Sequence, residues 1–276
     1  MKIRLTLAVL LIQSTISFAQ PDSLPASPYR IHRSYELAGS GVLLGASYFG
    51  FRKLDRVATL DAAEVAKLNP VRINAFDRPI ASLNPAGFET AQKRSDLFLN
   101  LSIASPLLLL LSKPIRHDAL DLLGMYATAH VVNNLLYFGT AFSIRRARPL
   151  TYNALLPLDQ KTGPAKSNSF YSGHVSFSTT ATFFGAKVLT DYYRIRGWKR
   201  AAIFSVAAVP PILVGVNRMK AGKHFPTDVL TGFLIGAACG IGVPEWHKFR
   251  RKTAGLAFRP EVSFACQRGL AVTYSF

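Results

Sequence analysis

Three short segments carry the side chains that could do chemistry: Arg148-Pro149, then Ser172-Gly173-His174, then Arg218 with His224 six residues on and Asp228 four beyond that. Each stands at the end of an apolar run. Phosphoryl transfer needs an in-line nucleophile, a proton donor for the leaving oxygen, and positive or N–H groups around the three equatorial oxygens. His224 precedes Pro226, a residue suited to the first position of a helix, so Asp228 falls in the first turn with its carboxylate able to reach back to the ring. With one ring nitrogen held there, the other is free to attack phosphorus and form a phosphohistidine. His174 would protonate the leaving alkoxide and afterwards take a proton from the hydrolytic water. Gly173 lets the backbone approach closely, and a helix that starts near His174, capped by Ser172, would aim its N–H groups at the phosphate. Arg148 and Arg218 would hold the oxygens through charge-assisted forks.

The elements that must position these residues are helices. Six runs, 37–51, 97–112, 122–144, 169–186, 201–217 and 229–244, contain no Lys, Arg, Asp or Glu. A bilayer crossing needs about 20 apolar residues; 122–144 is long enough, and the others are shorter. Small residues crowd these runs, Gly39, Gly41, Gly45 and Ala46 in the first and Gly232, Gly236, Ala237, Ala238 and Gly240 in the last, and let helices pack closely. His130, Asn133 and Asn134 lie inside the third run and suit interhelical hydrogen bonds. The expected architecture is all-α: a membrane-embedded helical bundle of about five to six apolar helices with a short C-terminal β-hairpin, the latter from the alternation at Val262, Phe264, Cys266 and then Leu270, Val272, Tyr274. The expected organisation is a signal peptide or anchor at 1–19, a first helix and polar loop at 20–96, a helical core at 97–252 and the hairpin tail at 253–276.

Thirty-three Lys and Arg against 15 Asp and Glu make the chain strongly basic, but half its residues are hydrophobic and the charges gather between apolar runs. That distribution fits a basic-rimmed membrane protein and argues against a nucleic-acid partner, for which no helix-turn-helix or zinc finger is present. The two cysteines form no metal-ligand cluster, and no carboxylate cluster is placed to hold Mg²⁺, so neither metal nor cofactor is expected. The three motif segments lie in alternate connections and share one side. Lys113, Arg116, Arg194, Arg196, Lys199 and Arg200 mark the other side as cytoplasmic, which places the site on the periplasmic face of an inner membrane.

The motif residues resemble the type 2 phosphatidic acid phosphatase and vanadium haloperoxidase superfamily, over 97–245. Its pattern is Lys, six residues, Arg-Pro; then Pro-Ser-Gly-His; then Ser-Arg, five residues, His, three residues, Asp. Tyr171 and Asn217 stand where the family usually has Pro and Ser, and Ala141 stands where it has Lys. The resemblance implies a phosphatase that acts on a lipid phosphate or diphosphate in the bilayer. The alternatives are a soluble periplasmic acid phosphatase, a non-catalytic phospholipid-binding protein and, more remotely, a haloperoxidase. If a helix runs into Arg148, then Ala141, Arg145 and Arg148 share a face, and Arg145 replaces part of the charge lost at 141.

Overall fold

The structure, a computed structural model, describes residues 27–253, 256–262 and 268–274, with side chains described as far as Lys248. The expected leader at 1–19 lies outside these residues. Among the described residues nine α-helices follow one another: α1 (Arg33–Val57), α2 (Ala62–Ala66), α3 (Phe88–Ala104), α4 (Lys113–His117), α5 (Ala119–Ser143), α6 (Leu158–Lys161), α7 (Gly173–Tyr192), α8 (Gly197–Lys220) and α9 (Pro226–Thr253). Strands β1 (Leu256–Val262) and β2 (Arg268–Tyr274) pair antiparallel with Leu256 opposite Tyr274. Their connection, 263–267, lies outside the described residues, so a hairpin is not supported as a unit.

The bundle is built around α7, which packs against α3, α5, α8 and α9, while α1 lies along α5. Sixteen of the 20 residues of α7 are buried, which no single-faced amphipathic helix could tolerate. Its neighbour α9 reaches it through glycine. A Cβ on Gly232 would stand 2.5 Å from the Ser172 carbonyl oxygen, and one on Gly240 2.6 Å from that of Thr180; one on Gly236 would strike the Ser176 carbonyl between them. Spaced four apart, the three glycines form one stripe along α9, and only hydrogen at those positions allows the two backbones to approach so closely.

Of the polar side chains inside the third apolar run, Asn133 and Asn134 bond across the bundle, whereas His130 Nε2 has no hydrogen-bond partner among the described residues. Asn133 donates to Ser176 Oγ at 3.2 Å and Asn134 to Ser47 Oγ at 2.9 Å, joining α5 to α7 and α1. Among the described residues, three helical stretches are long and apolar enough to cross a membrane: Pro85–Leu111, Gly197–Lys220 and Pro226–Lys248. The run at 122–144, which its length singled out, is not among them, because His130, Asn133 and Asn134 dilute its apolar character. The outward faces of the three stretches are apolar, with Leu108, Val206 and Leu234 each more than 65% exposed.

At Pro106 the third helix tightens into a 3₁₀ turn, Ser105–Leu111, since proline has no N–H to continue the α pattern. The polar connection after α1 is short helices and turns. Asp61 caps α2 reciprocally: its carboxylate accepts from Glu64 N at 2.7 Å and its own N–H donates to Glu64 at 3.0 Å. Gly163 pairs with Leu60 in both directions, which lays this connection against the chain before α7.

Gly236→Val tests the glycine contact. Forcing a branched side chain onto the Ser176 carbonyl should cost about 1–3 kcal/mol of overpacking strain, visible as a lower thermal midpoint in detergent, while Gly242→Val, in open space, should change little. Equal midpoints for the two variants would contradict the packing.

Candidate active site

The chain leaves α5 at Ser143, and Ile144 is extended. From there it runs alongside 166–169: Arg146 N–H donates to Ser167 O at 2.9 Å, Ser169 N–H to Arg146 O at 3.0 Å, and Arg148 N–H to Lys166 O at 2.9 Å. This fixes Arg148, whose Nε donates to Asn168 Oδ1 at 3.1 Å. α7 then starts at Gly173, where a Cβ would stand 3.0 Å from the Tyr137 ring. Between α8 and α9 the turn at Gly222 has φ of 64°, a left-handed conformation that suits glycine, and it returns the chain so that His224 lies beneath Ser169.

His224 is 2% exposed, and its Nδ1 lies 2.7 Å from the Ser169 carbonyl oxygen. A carbonyl can only accept, so Nδ1 carries the proton and Nε2 keeps its lone pair. Burial, then the charges of Arg148 and Arg218, hold its pKa well below the ordinary histidine value. Asp228 does not bond to the ring as expected; its Oδ2 is 3.9 Å from Nδ1. That oxygen accepts instead from Ser169 Oγ at 2.6 Å and from Phe225 N at 2.8 Å. Asp228 therefore fixes Ser169, and the carbonyl of Ser169 fixes the tautomer of His224.

Arg218 is 4% exposed and Ser172 fully buried, yet Arg218 Nε and Ser172 Oγ have no hydrogen-bond partner among the described residues. Ser172 heads α7 without a side-chain cap bond; its N–H donates to Asp228 O at 3.0 Å. A buried polar group left unpaired costs about 1–3 kcal/mol, and an oxyanion between these donors would remove that cost. His174 stands at the same helix end, with Nε2 3.2 Å from Asp96 Oδ1. Lys223 adds a cation that motif reasoning passed over. Burial, followed by Arg148 and Arg218, pushes its pKa down to about 8.

Arg145 is not part of this cluster. Because the chain from 144 to 148 is extended, positions 141, 145 and 148 share no helix face. The Arg145 guanidinium turns to Thr59 O at 2.7 Å and to Glu64 at 3.4 Å, and it is half-exposed. Ala141 is buried against Tyr137 and Tyr171, with no room for a lysine head group. Arg146 takes the inward position. It donates to Asp228, to Thr227 Oγ1 at 2.8 Å and to Asp77 Oδ2 at 2.7 Å, and its guanidinium lies 4.3 Å above the Phe225 ring. Asp77 also accepts from Thr227 N at 3.0 Å and Thr227 Oγ1 at 2.7 Å. These bonds outweigh the upward pull of burial and keep Asp77 below the usual carboxylate range. Asp77 and Asp96 both come from the stretch read only as a polar loop; beside local bonds to Asn74 and Ser95, their partners in the site lie 69–150 residues away.

The helical bundle thus gathers two histidines, two arginines and a buried carboxylate at one end. Residues 118–252, about half of the chain, match the sequence model of the PAP2 superfamily, and this region belongs to that superfamily. Phosphatidylglycerophosphatase B of Bacillus subtilis (strain 168) is 30% identical over 119 residues, 43% of this chain and 53% of the relative; the chain thus matches about half the length of that curated protein. Among solved structures, the transmembrane PAP2-type phosphatidylglycerolphosphate phosphatase from Bacillus subtilis aligns with a TM-score of 0.39 at 21% identity, covering 73% of this chain and 94% of its own. LpxE of Aquifex aeolicus aligns with a TM-score of 0.42 at 21% identity, over 63% and 98%.

The two neighbouring arginines should behave oppositely. Arg146→Ala leaves the buried carboxylates of Asp77 and Asp228 facing each other, which should cost about 3–5 kcal/mol. Arg145→Ala removes a half-exposed pair worth about 0–1 kcal/mol. Thermal unfolding of the two variants checks this; equal losses would contradict the placement of Arg146.

Proposed function

We propose that this protein is a membrane-embedded, metal-independent phosphatase that acts on a lipid-linked phosphate or diphosphate through a phosphohistidine intermediate. The observation that carries the reading is His224, with Nδ1 tied to a carbonyl and Nε2 unblocked, beside the buried and unpartnered Arg218 Nε and Ser172 Oγ. In this mechanism the Nε2 lone pair attacks phosphorus in line while Arg148, Arg218, Ser172 and the N–H groups at the start of α7 stabilise the equatorial oxygens. The P–O bond to the lipid breaks, and the leaving oxygen takes a proton from the imidazolium of His174. Water then gives a proton to His174 and attacks phosphorus; the P–N bond breaks, its electrons return to Nε2, and inorganic phosphate leaves.

The relative's printed name, phosphatidylglycerophosphatase B, and the three membrane-length stretches favour a lipid substrate over a soluble one. The helical core at 97–252 would carry the chemistry, with the 20–96 segment contributing Asp77 and Asp96. The apolar outward faces suit an inner-membrane location, and the basic loops at the far end of α7 suit a periplasmic site. Every partner proposed for the phosphate is an arginine, a hydroxyl or a backbone N–H, and none of them needs a divalent ion.

His224→Ala should abolish release of phosphate from phosphatidate, phosphatidylglycerophosphate and polyprenyl diphosphate by the purified protein; turnover equal to wild type would sink the mechanism. Excess EDTA should leave activity essentially unchanged, and loss on chelation with recovery in Mg²⁺ would contradict metal independence. Because a nucleophilic imidazole must be neutral and that of His224 is pushed well below 6.5, the acid limb of the kcat/KM profile should lie well below pH 6.5. A limb at that ordinary value would mean that another group attacks.

A further inference from the structure

His174 has a task that its surroundings oppose. To act as an acid it must carry an extra proton, yet the groups that face it are cationic or neutral on every side but one. Arg218 comes from α8, Arg148 from the strip after α5, His224 from the turn before α9, and Tyr137 of α5 covers the helix start at Gly173. Burial first, and then the two guanidiniums, favour the neutral form of the imidazole. Asp228, the carboxylate that the motif supplies, gives its oxygens to Arg146, Ser169 and Phe225.

The exception is Asp96, from the middle of α3. Its Oδ1 lies 3.2 Å from His174 Nε2 and 3.9 Å from Arg218 NH1, and the side chain is 45% exposed. Ser95 Oγ stands 3.4 Å from the same oxygen. Asp96 lies before residue 118, outside the segment that matches the superfamily.

We propose that Asp96 is a positioning residue that keeps His174 loaded with the proton it must donate to the leaving oxygen. This rests on the phosphatase reading and names the group that makes its acid effective. The carboxylate holds one N–H of the imidazolium and leaves the other for donation. Its charge offsets part of the field of Arg218 and Arg148 at the ring without entering the bonds around His224. The proton passes from imidazolium to leaving oxygen and is restored by the hydrolytic water, so no further reactant is required.

The prediction is specific to leaving-group basicity. A 4-nitrophenolate departs without a proton, whereas the alkoxide of a phospholipid needs one. With full-length protein in detergent, Asp96→Asn should lower kcat on phosphatidate roughly tenfold to hundredfold, with less than about threefold loss on 4-nitrophenyl phosphate and little change in KM. The alkaline limb of the phosphatidate profile should move down by about one pH unit or more, and Asp96→Glu should recover most of the activity. An NMR titration of the His174 ring should show a matching fall in Asp96→Asn, a readout that does not depend on turnover. Equal losses on both substrates with no shift of the limb, an unmoved His174 titration, or a gain in kcat/KM that marks Asp96 as a competitor for the phosphate site would each overturn the inference. A wild-type protein inactive on both substrates would instead sink the phosphatase reading.

Discussion

A carboxylate taken out of water costs several kcal/mol unless donors surround it, and the way Asp228 meets that demand organises the whole end of the bundle. Its side chain accepts from Arg146, from Ser169 Oγ and from Phe225 N–H, and its backbone carbonyl accepts from Ser172 N–H. Those four donors come from the strip after α5, the approach to α7, the turn before α9 and the cap of α7. Asp228 thus ties together the strip after α5, the start of α7 and the turn before α9, which bear Arg148, Ser172, His174 and His224. The same bonds set the chemistry: Ser169, held through its hydroxyl, presents its carbonyl to His224 and decides which ring nitrogen is free.

The long elements serve that arrangement by being close and rigid. The glycines of α9 let its backbone rest on that of α7, with Gly232 against the cap residue Ser172. Both helices carry motif residues at their beginnings: Ser172, Gly173 and His174 on one, Asp228 on the other. The N–H groups of α7 and the side chain of Arg218 at the end of α8 then face one space. Arg146 and Asp77 close the far side of Asp228, and through Asp77 a segment outside the superfamily match becomes part of the support for His224.

Much of this was legible in the residues. Helices written in runs free of charge, Pro226 at the first position of α9, the Asp61 cap and the close-packing glycines all follow from local rules of periodicity, capping and size. The motif spacing also pointed to residues that do converge. The arrangement around them was less legible, for a physical reason in each case. Arg145 and Arg146 are identical to any composition argument, and which one turns inward depended on where α5 stops; an extended residue at 144 reversed the expectation. Asp228 was expected to touch His224, but a serine one step away offers a better bond to each. Asp77 and Asp96 are unremarkable in sequence because a long-range ion pair leaves no periodic trace.

The central claim is a covalent bond between phosphorus and His224 Nε2. Wild-type protein mixed with ³²P-labelled phosphatidate and quenched in alkali within the first turnover should carry label on the peptide that contains His224. The label should be stable to base and labile to acid, as a phosphoramidate is, and absent in His224→Ala. Label that resists acid, that maps to another peptide, or that survives in His224→Ala would contradict it.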